Sequence, residues 1–147
     1  MARYFALLAL TLFANMTMAD ESRTSIYAGF YDADPDGGAY AGVGIGNSVQ
    51  FNELEYGTNR DIRQLAFYST YQVPLFRDYV HALVGLGFAN FLLDDDDFWT
   101  RLTPDVALIK GGVNARVFGP LYVEAFAENS YFGTDRADYK IQLRFNF

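Results

Sequence analysis

The sequence predicts an all-β fold, an eight-stranded antiparallel up-and-down transmembrane β-barrel, and three observations support this. Residues 137–147 alternate without interruption between apolar and polar side chains, which is the period of a strand with two different environments on its faces. No segment holds the run of about 18 apolar residues that a membrane-spanning helix needs. Hydrophobic residues make up 51% and aromatic residues 18% of the chain, while the mean hydropathy is near zero. Strands with one apolar and one polar face have this composition.

Residues 1–19 are predicted to form a cleaved signal peptide. Arg3 supplies a positive charge, residues 5–13 form a short apolar run, and Ala19 is a small residue at the expected cleavage point. The apolar run is too short to span ~30 Å of hydrocarbon, which takes roughly 20 residues. We therefore expect residues 20–147 to form one barrel domain, integral to the outer membrane of a Gram-negative cell envelope.

Weaker alternation predicts seven strands before the closing one. Their predicted ranges are 25–31, 39–45, 49–56, 64–73, 79–88, 107–117 and 121–131. The third has the poorest pattern, because Glu53 and Glu55 share a face with Val49 and Phe51. Short connections at 46–48, 74–78 and 118–120 are predicted on the periplasmic side, and longer ones face outward.

Charged side chains on the polar faces of the last three strands are predicted to form a network in the lumen. We expect the final hairpin to centre on Thr134, which would place Glu128 opposite Lys140 and Glu124 opposite Arg144. The predicted network comprises Lys110, Arg116, Glu124, Glu128, Lys140 and Arg144. We interpret it as a self-neutralising ladder that fills a narrow interior, with a narrow ion pore as the alternative.

The closing strand presents five large apolar side chains on one face. They are Tyr139, Ile141, Leu143, Phe145 and Phe147. This pattern resembles the last strand of bacterial outer-membrane β-barrels, whose terminal Phe is part of the signal read by the barrel-assembly machinery. The chain resembles small barrels of the OmpX and OmpA-transmembrane-domain kind and, in Gly-Val-Gly-Ile-Gly-Asn (42–47) and Val-Gly-Leu-Gly (84–87), the YfaZ-type family. The resemblance implies a monomer surrounded by outer-membrane lipid and lipopolysaccharide.

Two acidic segments are weak candidates for metal or partner binding. Asp32, Asp34 and Asp36 match the opening of a calcium loop, but Val43 stands where a bidentate Glu is needed, so an acidic turn is the simpler interpretation. The acidic run 94–97, followed by Phe98 and Trp99, is interpreted as a solvated loop, with a divalent-cation site or a docking point as alternatives.

We expect a non-catalytic structural or surface-interaction role, with no cofactor. His81 is the sole histidine, and a lipid A-modifying enzyme would need a serine and a carboxylate beside it; Ser69 could approach from the neighbouring strand. The net charge of −7, or −8 without Arg3, argues against nucleic-acid binding. The main alternative is a periplasmic lipocalin-like barrel that binds an apolar ligand, which requires apolar side chains inside.

Overall fold

The computed structural model describes residues 22–32, 37–58, 63–77, 79–92, 106–130 and 137–147. They form eight strands: β1 (Arg23–Asp32), β2 (Gly38–Gly46), β3 (Gln50–Thr58), β4 (Arg63–Phe76), β5 (Val80–Leu92), β6 (Val106–Phe118), β7 (Leu121–Ser130) and β8 (Asp138–Asn146). Within these ranges no helix is long and apolar enough to cross a membrane. The predicted signal peptide, Asp34, Asp36 and the acidic run 94–97 lie outside the described residues.

The strands close into a single antiparallel barrel, as the sequence predicts. Each strand pairs with its neighbours in the chain, and β1 pairs with β8 to complete the circle. The Phe147 amide donates to the Thr24 carbonyl at 2.8 Å, and the Thr24 amide donates to the Phe147 carbonyl at 3.0 Å, so the seam continues to the last residue. The predicted third strand, whose alternation is the poorest, is present as β3. Closure leaves no strand edge exposed along the wall.

The two faces of the wall differ sharply in polarity. On β8 the outward side chains of Ile141 and Leu143 are 56% and 55% exposed, whereas Lys140 and Arg144 point inward and are buried. The same alternation runs along the other strands. The barrel therefore has an apolar outside, and its inside combines the buried charged side chains with aromatic and apolar ones such as Tyr68, Leu83 and Phe126. Soluble proteins seldom bury charges while exposing large apolar side chains in this way.

The predicted register of the final hairpin is wrong by two residues. Glu124 pairs with Gln142 rather than Arg144, and Glu128 pairs with Asp138 rather than Lys140. A slip of two residues leaves every side chain on its original face, so alternation cannot detect it. The predicted charge contacts survive because Arg144 and Lys140 reach their carboxylates diagonally across the strand pair.

β4 continues through Pro74, so the turn that the sequence predicts at 74–78 begins too early. β3 begins at Gln50, which pairs with Tyr71, and the Gln72 amide donates to the Val49 carbonyl at 2.7 Å, so β4 beyond Gln72 pairs only with β5. A proline lacks the amide hydrogen and is tolerated where one side of a strand has no ladder partner. The register shifts between Pro74 and Phe76, and the strand ends there.

Candidate functional site

Seven buried charged side chains occupy the middle of the barrel and form two adjoining clusters. The Arg144 cluster consists of Arg144, Lys110, Glu53 and Glu124, and the Lys140 cluster consists of Lys140, Glu55 and Glu128. All seven side chains are less than a tenth exposed. Burying so many charges is tolerable only when they pair closely and their remaining atoms are hydrogen-bonded.

The Arg144 cluster is electrically balanced. Arg144 Nε lies 2.8 Å from Glu124 Oε1, Nη2 contacts Glu53 Oε1, and Nη1 donates to Ser25 Oγ at 2.8 Å. Lys110 Nζ donates to Glu53 Oε2 at 2.6 Å. Two cations therefore face two carboxylates.

Neutral side chains complete the hydrogen bonding of this cluster. The Thr70 hydroxyl donates to Glu53 Oε2, and the Gln142 amide nitrogen donates to Glu124 Oε2. All four carboxylate oxygens of Glu53 and Glu124 consequently have a donor. Removing one member would strand a buried charge, which is the costly event in such networks.

The Lys140 cluster has one cation for two carboxylates. Lys140 Nζ lies 2.8 Å from Glu55 Oε1 and 3.0 Å from Glu128 Oε1. The Tyr68 hydroxyl donates to Glu128 Oε2 at 2.6 Å. Glu55 Oε2 is buried and has no hydrogen-bond partner. This cluster therefore carries an excess of negative charge and an unsatisfied oxygen.

Aromatic rings surround the three buried cations. Lys110 Nζ is 4.2 Å from the centroid of the Tyr68 ring, Lys140 Nζ is 4.9 Å from that of Tyr40, and Arg144 Cζ is 4.6 Å from that of Tyr27. Cations are attracted to the negative faces of such rings. Since Tyr68 and Glu53 are completely inaccessible to solvent, this level of the lumen is filled by side chains rather than by a water-filled bore.

Five of the six residues predicted for the lumen network lie in these two clusters, and Arg116 does not. Arg116 is exposed, and its Nε donates to the Gly119 carbonyl at 2.6 Å in the turn between β6 and β7. Arg116 lies two residues after the buried Asn114 and so is on the inward face of β6, but at a level beyond the end of the packed interior. Lys110 lies opposite Glu128 in the pairing of β6 with β7, yet its ammonium contacts Glu53 on β3.

Glu53 and Glu55 belong to the network, although the charge pattern of the last three strands does not predict them. Both lie on β3 and point inward, and Glu53 contacts both Lys110 and Arg144. The sequence offers one signal for them. Glu53 and Glu55 lie on the same face of β3 as Phe51, and all three side chains are buried in the lumen. The same mixture of charged and apolar residues on one face gives this strand the poorest alternation of the eight.

His81 contacts an amide side chain on the neighbouring strand β6. Its Nδ1 lies 3.0 Å from Asn114 Oδ1, and Asn114 Nδ2 donates to Gln72 Oε1 at 3.2 Å. Ser69 lies between the inward-facing Tyr68 and Thr70, so it points outward, where Gln50 Nε2 donates to its hydroxyl at 2.9 Å. The expectation that Ser69 could approach His81 is wrong, because the two side chains lie on opposite faces of the wall.

The calcium-loop match is represented in the described residues only by Asp32, which is exposed at the end of β1. Within the part of the chain that the structure describes, no three His, Cys, Asp or Glu side chains are grouped so that they could hold a metal ion.

Comparison with known proteins identifies the fold but no family. No family model and no curated protein matches the sequence. A de novo designed transmembrane β-barrel superposes with a TM-score of 0.64 at 14% identity, covering 88% of this chain and 97% of its own. The N-terminal β-barrel domain of OprF from Pseudomonas aeruginosa superposes with a TM-score of 0.62 at 16% identity, covering 85% and 97%. The chain thus has the fold of an outer-membrane-type β-barrel.

Proposed function

We propose that the protein is an integral barrel of the bacterial outer membrane, with a closed, side-chain-filled lumen and a structural or surface-interaction role in the envelope. The observation that carries the proposal is the inverted polarity of the wall. Large apolar side chains are exposed around the outside, among them Ile26, Phe30, Val43, Leu54, Val84, Leu86, Ile109, Val113, Ile141 and Leu143. In water this surface would be far larger than the apolar patches that soluble monomers expose.

Lipid provides the burial that this surface requires. Removing one large apolar side chain from water is worth about 1.5–3 kcal/mol, so an outer face of this composition strongly favours a hydrocarbon environment. Closure through the β1–β8 pairing supplies hydrogen-bond partners to the wall's backbone, which hydrocarbon cannot do. Both the apolar outer side chains and the fully paired backbone of the wall therefore suit a hydrocarbon environment.

The finer parts of the proposal rest on β8 and on the amino-terminal segment. Outer-membrane lipid and lipopolysaccharide would contact the outer wall of the monomer, and residues 1–19 would direct export. The barrel-assembly machinery would read the outward face of β8, from Tyr139 to Phe147, before that strand pairs with β1. The same proposal includes a relationship to small outer-membrane barrels of the OmpX and OmpA-transmembrane-domain type.

The polarity of the interior argues against the lipocalin-like alternative. An apolar ligand needs an apolar cavity, but the described part of the lumen contains seven buried charged side chains, with Glu53 and Glu124 almost fully inaccessible. The separation of Ser69 from His81 likewise gives no support to a lipid A-modifying enzyme that would use that pair.

Membrane fractionation combined with a heat-dependent gel shift tests the proposal. Closed membrane barrels resist SDS until heated, so we expect the protein in the outer-membrane fraction, with different mobilities in boiled and unboiled samples. Recovery in the soluble periplasmic fraction, with one mobility under both conditions, would contradict it.

A further inference from the structure

We propose that Arg77, at the tip of the turn between β4 and β5, binds the phosphate headgroups of anionic phospholipids. The proposal rests on the proposed function, since it requires that the outer wall lie in lipid, and it names the lipid chemistry that one side chain recognises. Two observations carry it: the backbone conformation of Arg77 and the apolar surface that leads up to it.

Arg77 lies in a tight turn between two long strands. The Tyr79 amide donates to the Phe76 carbonyl at 3.2 Å, so Arg77 and Asp78 form the tip of the connection between β4 and β5. Of these two, Asp78 lies outside the described residues. The Arg77 side chain is exposed at the end of the barrel that carries the short turns.

The backbone of Arg77 adopts a conformation that disfavours a long side chain. Its φ angle is 50°, and among the described residues no other non-glycine residue has a positive φ. The first tip position of a tight hairpin commonly has a positive φ, and Gly, Asn and Asp adopt this region at the least steric cost. Arginine is sterically disfavoured there. The turn itself therefore gives no reason for an arginine at this position.

Exposed apolar side chains lie directly before Arg77 in the chain. Val73, Leu75 and Phe76 are each more than half exposed. They extend the apolar surface of the wall to the last residue of β4, and Phe118 is exposed in the neighbouring turn between β6 and β7. Arg77 is therefore the first charged residue beyond a surface that lipid covers under the proposed function.

The height of the wall places Arg77 where hydrocarbon gives way to headgroups. The outward positions of β4 run from Leu65 to Leu75, ten residues further along the strand. At ~3.3 Å per residue and a tilt of roughly 40°, they cover about 25 Å along the membrane normal, which is the height of the apolar band on outer-membrane barrels. Arg77 follows at the level of the lipid phosphates. In the orientation that the short turns predict, this is the periplasmic leaflet.

A guanidinium group suits this level of the membrane. It donates parallel hydrogen bonds to two phosphate oxygens and is less strongly hydrated than an ammonium group. Its apolar stem lets the charge reach the headgroups while the turn stays beside hydrocarbon. An acidic protein would also attract Arg77, but the apolar side chains that precede it favour lipid.

Urea unfolding in two kinds of vesicle tests the proposal. The purified protein is refolded in vesicles of phosphatidylcholine and in vesicles that also contain phosphatidylglycerol, at one pH and ionic strength. Both leaflets have the same composition, so the direction of insertion does not affect the result. We expect phosphatidylglycerol to raise the folding equilibrium constant of the wild-type protein, and Arg77→Asn to lose about fivefold of that rise. Equal rises in the two proteins would overturn the proposal.

Matched variants separate the charge of Arg77 from its backbone strain. In a maltoside detergent, which has no phosphate, Arg77→Asn should unfold at a higher temperature than the wild-type protein, because Asn adopts a positive φ readily. Arg77→Lys keeps the charge and should retain most of the phosphatidylglycerol effect. A lower unfolding temperature for Arg77→Asn in the detergent would show that arginine serves the turn itself and would contradict the proposal.

Arg116→Gln is the control for general electrostatics at this end of the barrel. Arg116 is exposed but lies on the inward face of β6, where its Nε donates to the Gly119 carbonyl. Its loss should change stability equally in both kinds of vesicle. If Arg116→Gln and Arg77→Asn lost the same share of the phosphatidylglycerol effect, the assignment to Arg77 would be wrong.

Solid-state NMR detects the contact directly. In vesicles that contain phosphatidylglycerol, lipid phosphorus should dephase the guanidinium carbon of Arg77, whose signal is assigned by its loss in Arg77→Lys. No dephasing, together with no lipid dependence, would refute the lipid site and favour an acidic protein partner. Failure of the wild-type protein to insert into either kind of vesicle would instead contradict the membrane barrel, whereas insertion without a phosphatidylglycerol effect would contradict only the role of Arg77.

Discussion

Replacing Arg144 by methionine would test the energetic role of the lumen network. Arg144→Met keeps a long unbranched side chain but removes the group that contacts Glu53, Glu124 and Ser25. After the change Glu53 still contacts Lys110, whereas Glu124 keeps only the neutral amide of Gln142. Glu124 would then be a buried carboxylate without a cation, and we expect a loss of about 3–5 kcal/mol in the free energy of unfolding.

A second substitution distinguishes the stranded charge from lost packing. Arg144→Met combined with Glu124→Gln removes the uncompensated carboxylate, so most of the loss should be recovered. The stacking of the guanidinium on the Tyr27 ring is not restored, and its absence should leave a deficit of about 0.5–2 kcal/mol. The control is Arg116→Met, which removes an exposed arginine bonded to the Gly119 carbonyl and should cost at most about 1.5 kcal/mol.

Urea unfolding in phospholipid vesicles at constant pH and ionic strength, followed by circular dichroism and by gel mobility without heating, measures these differences. The reasoning would be refuted if Arg144→Met cost no more than Arg116→Met. It would also be refuted if the double variant were as unstable as the single one.

Two further pairs of variants test packing and environment. Gly112→Ala should lower the free energy of unfolding by about 1–3 kcal/mol, because the new Cβ would overlap the Ala125 carbonyl oxygen. Gly111→Ala is the control, since a Cβ has space there and the change should be nearly neutral. Equal effects of the two variants in urea unfolding would contradict this prediction. Leu86→Arg, at an outward position 62% exposed in the middle of β5, should cost about 2–4 kcal/mol in vesicles, whereas Phe118→Arg, 81% exposed at a strand end, should cost about 0–1 kcal/mol. If both arginine variants were neutral, the outer wall would face water.

Strand number and facing could be predicted because the two faces have opposite polarity. Each strand needs only local alternation to reveal which side chains point inward, and β8 shows this from Tyr139 to Phe145. The antiparallel order then follows because successive strands in the chain usually lie next to each other in the sheet. Even the weak β3 obeys the same rule once the inward face is understood to be polar.

Contacts across the lumen could not be predicted from the same pattern. Lys110 on β6 contacts Glu53 on β3, although neither strand neighbours the other in the wall. Such contacts depend on the stagger and diameter of the closed barrel, which local alternation does not specify. Alternation also does not specify the register of the final hairpin. A slip of two residues keeps every side chain on its face, so the predicted register could be wrong by two without disturbing the pattern. The position of Arg116 was also not predictable, because alternation shows which face a side chain is on but not where along the strand the packed interior ends.

Site-directed spin labelling along β8 in lipid vesicles tests the central claim most directly. The chain contains no cysteine, so single cysteines at the outward positions 141 and 143 can each be labelled without background. We expect these labels to collide frequently with oxygen and rarely with a polar nickel reagent. High nickel accessibility at 141 and 143 would place the apolar face in water and contradict the membrane-embedded barrel.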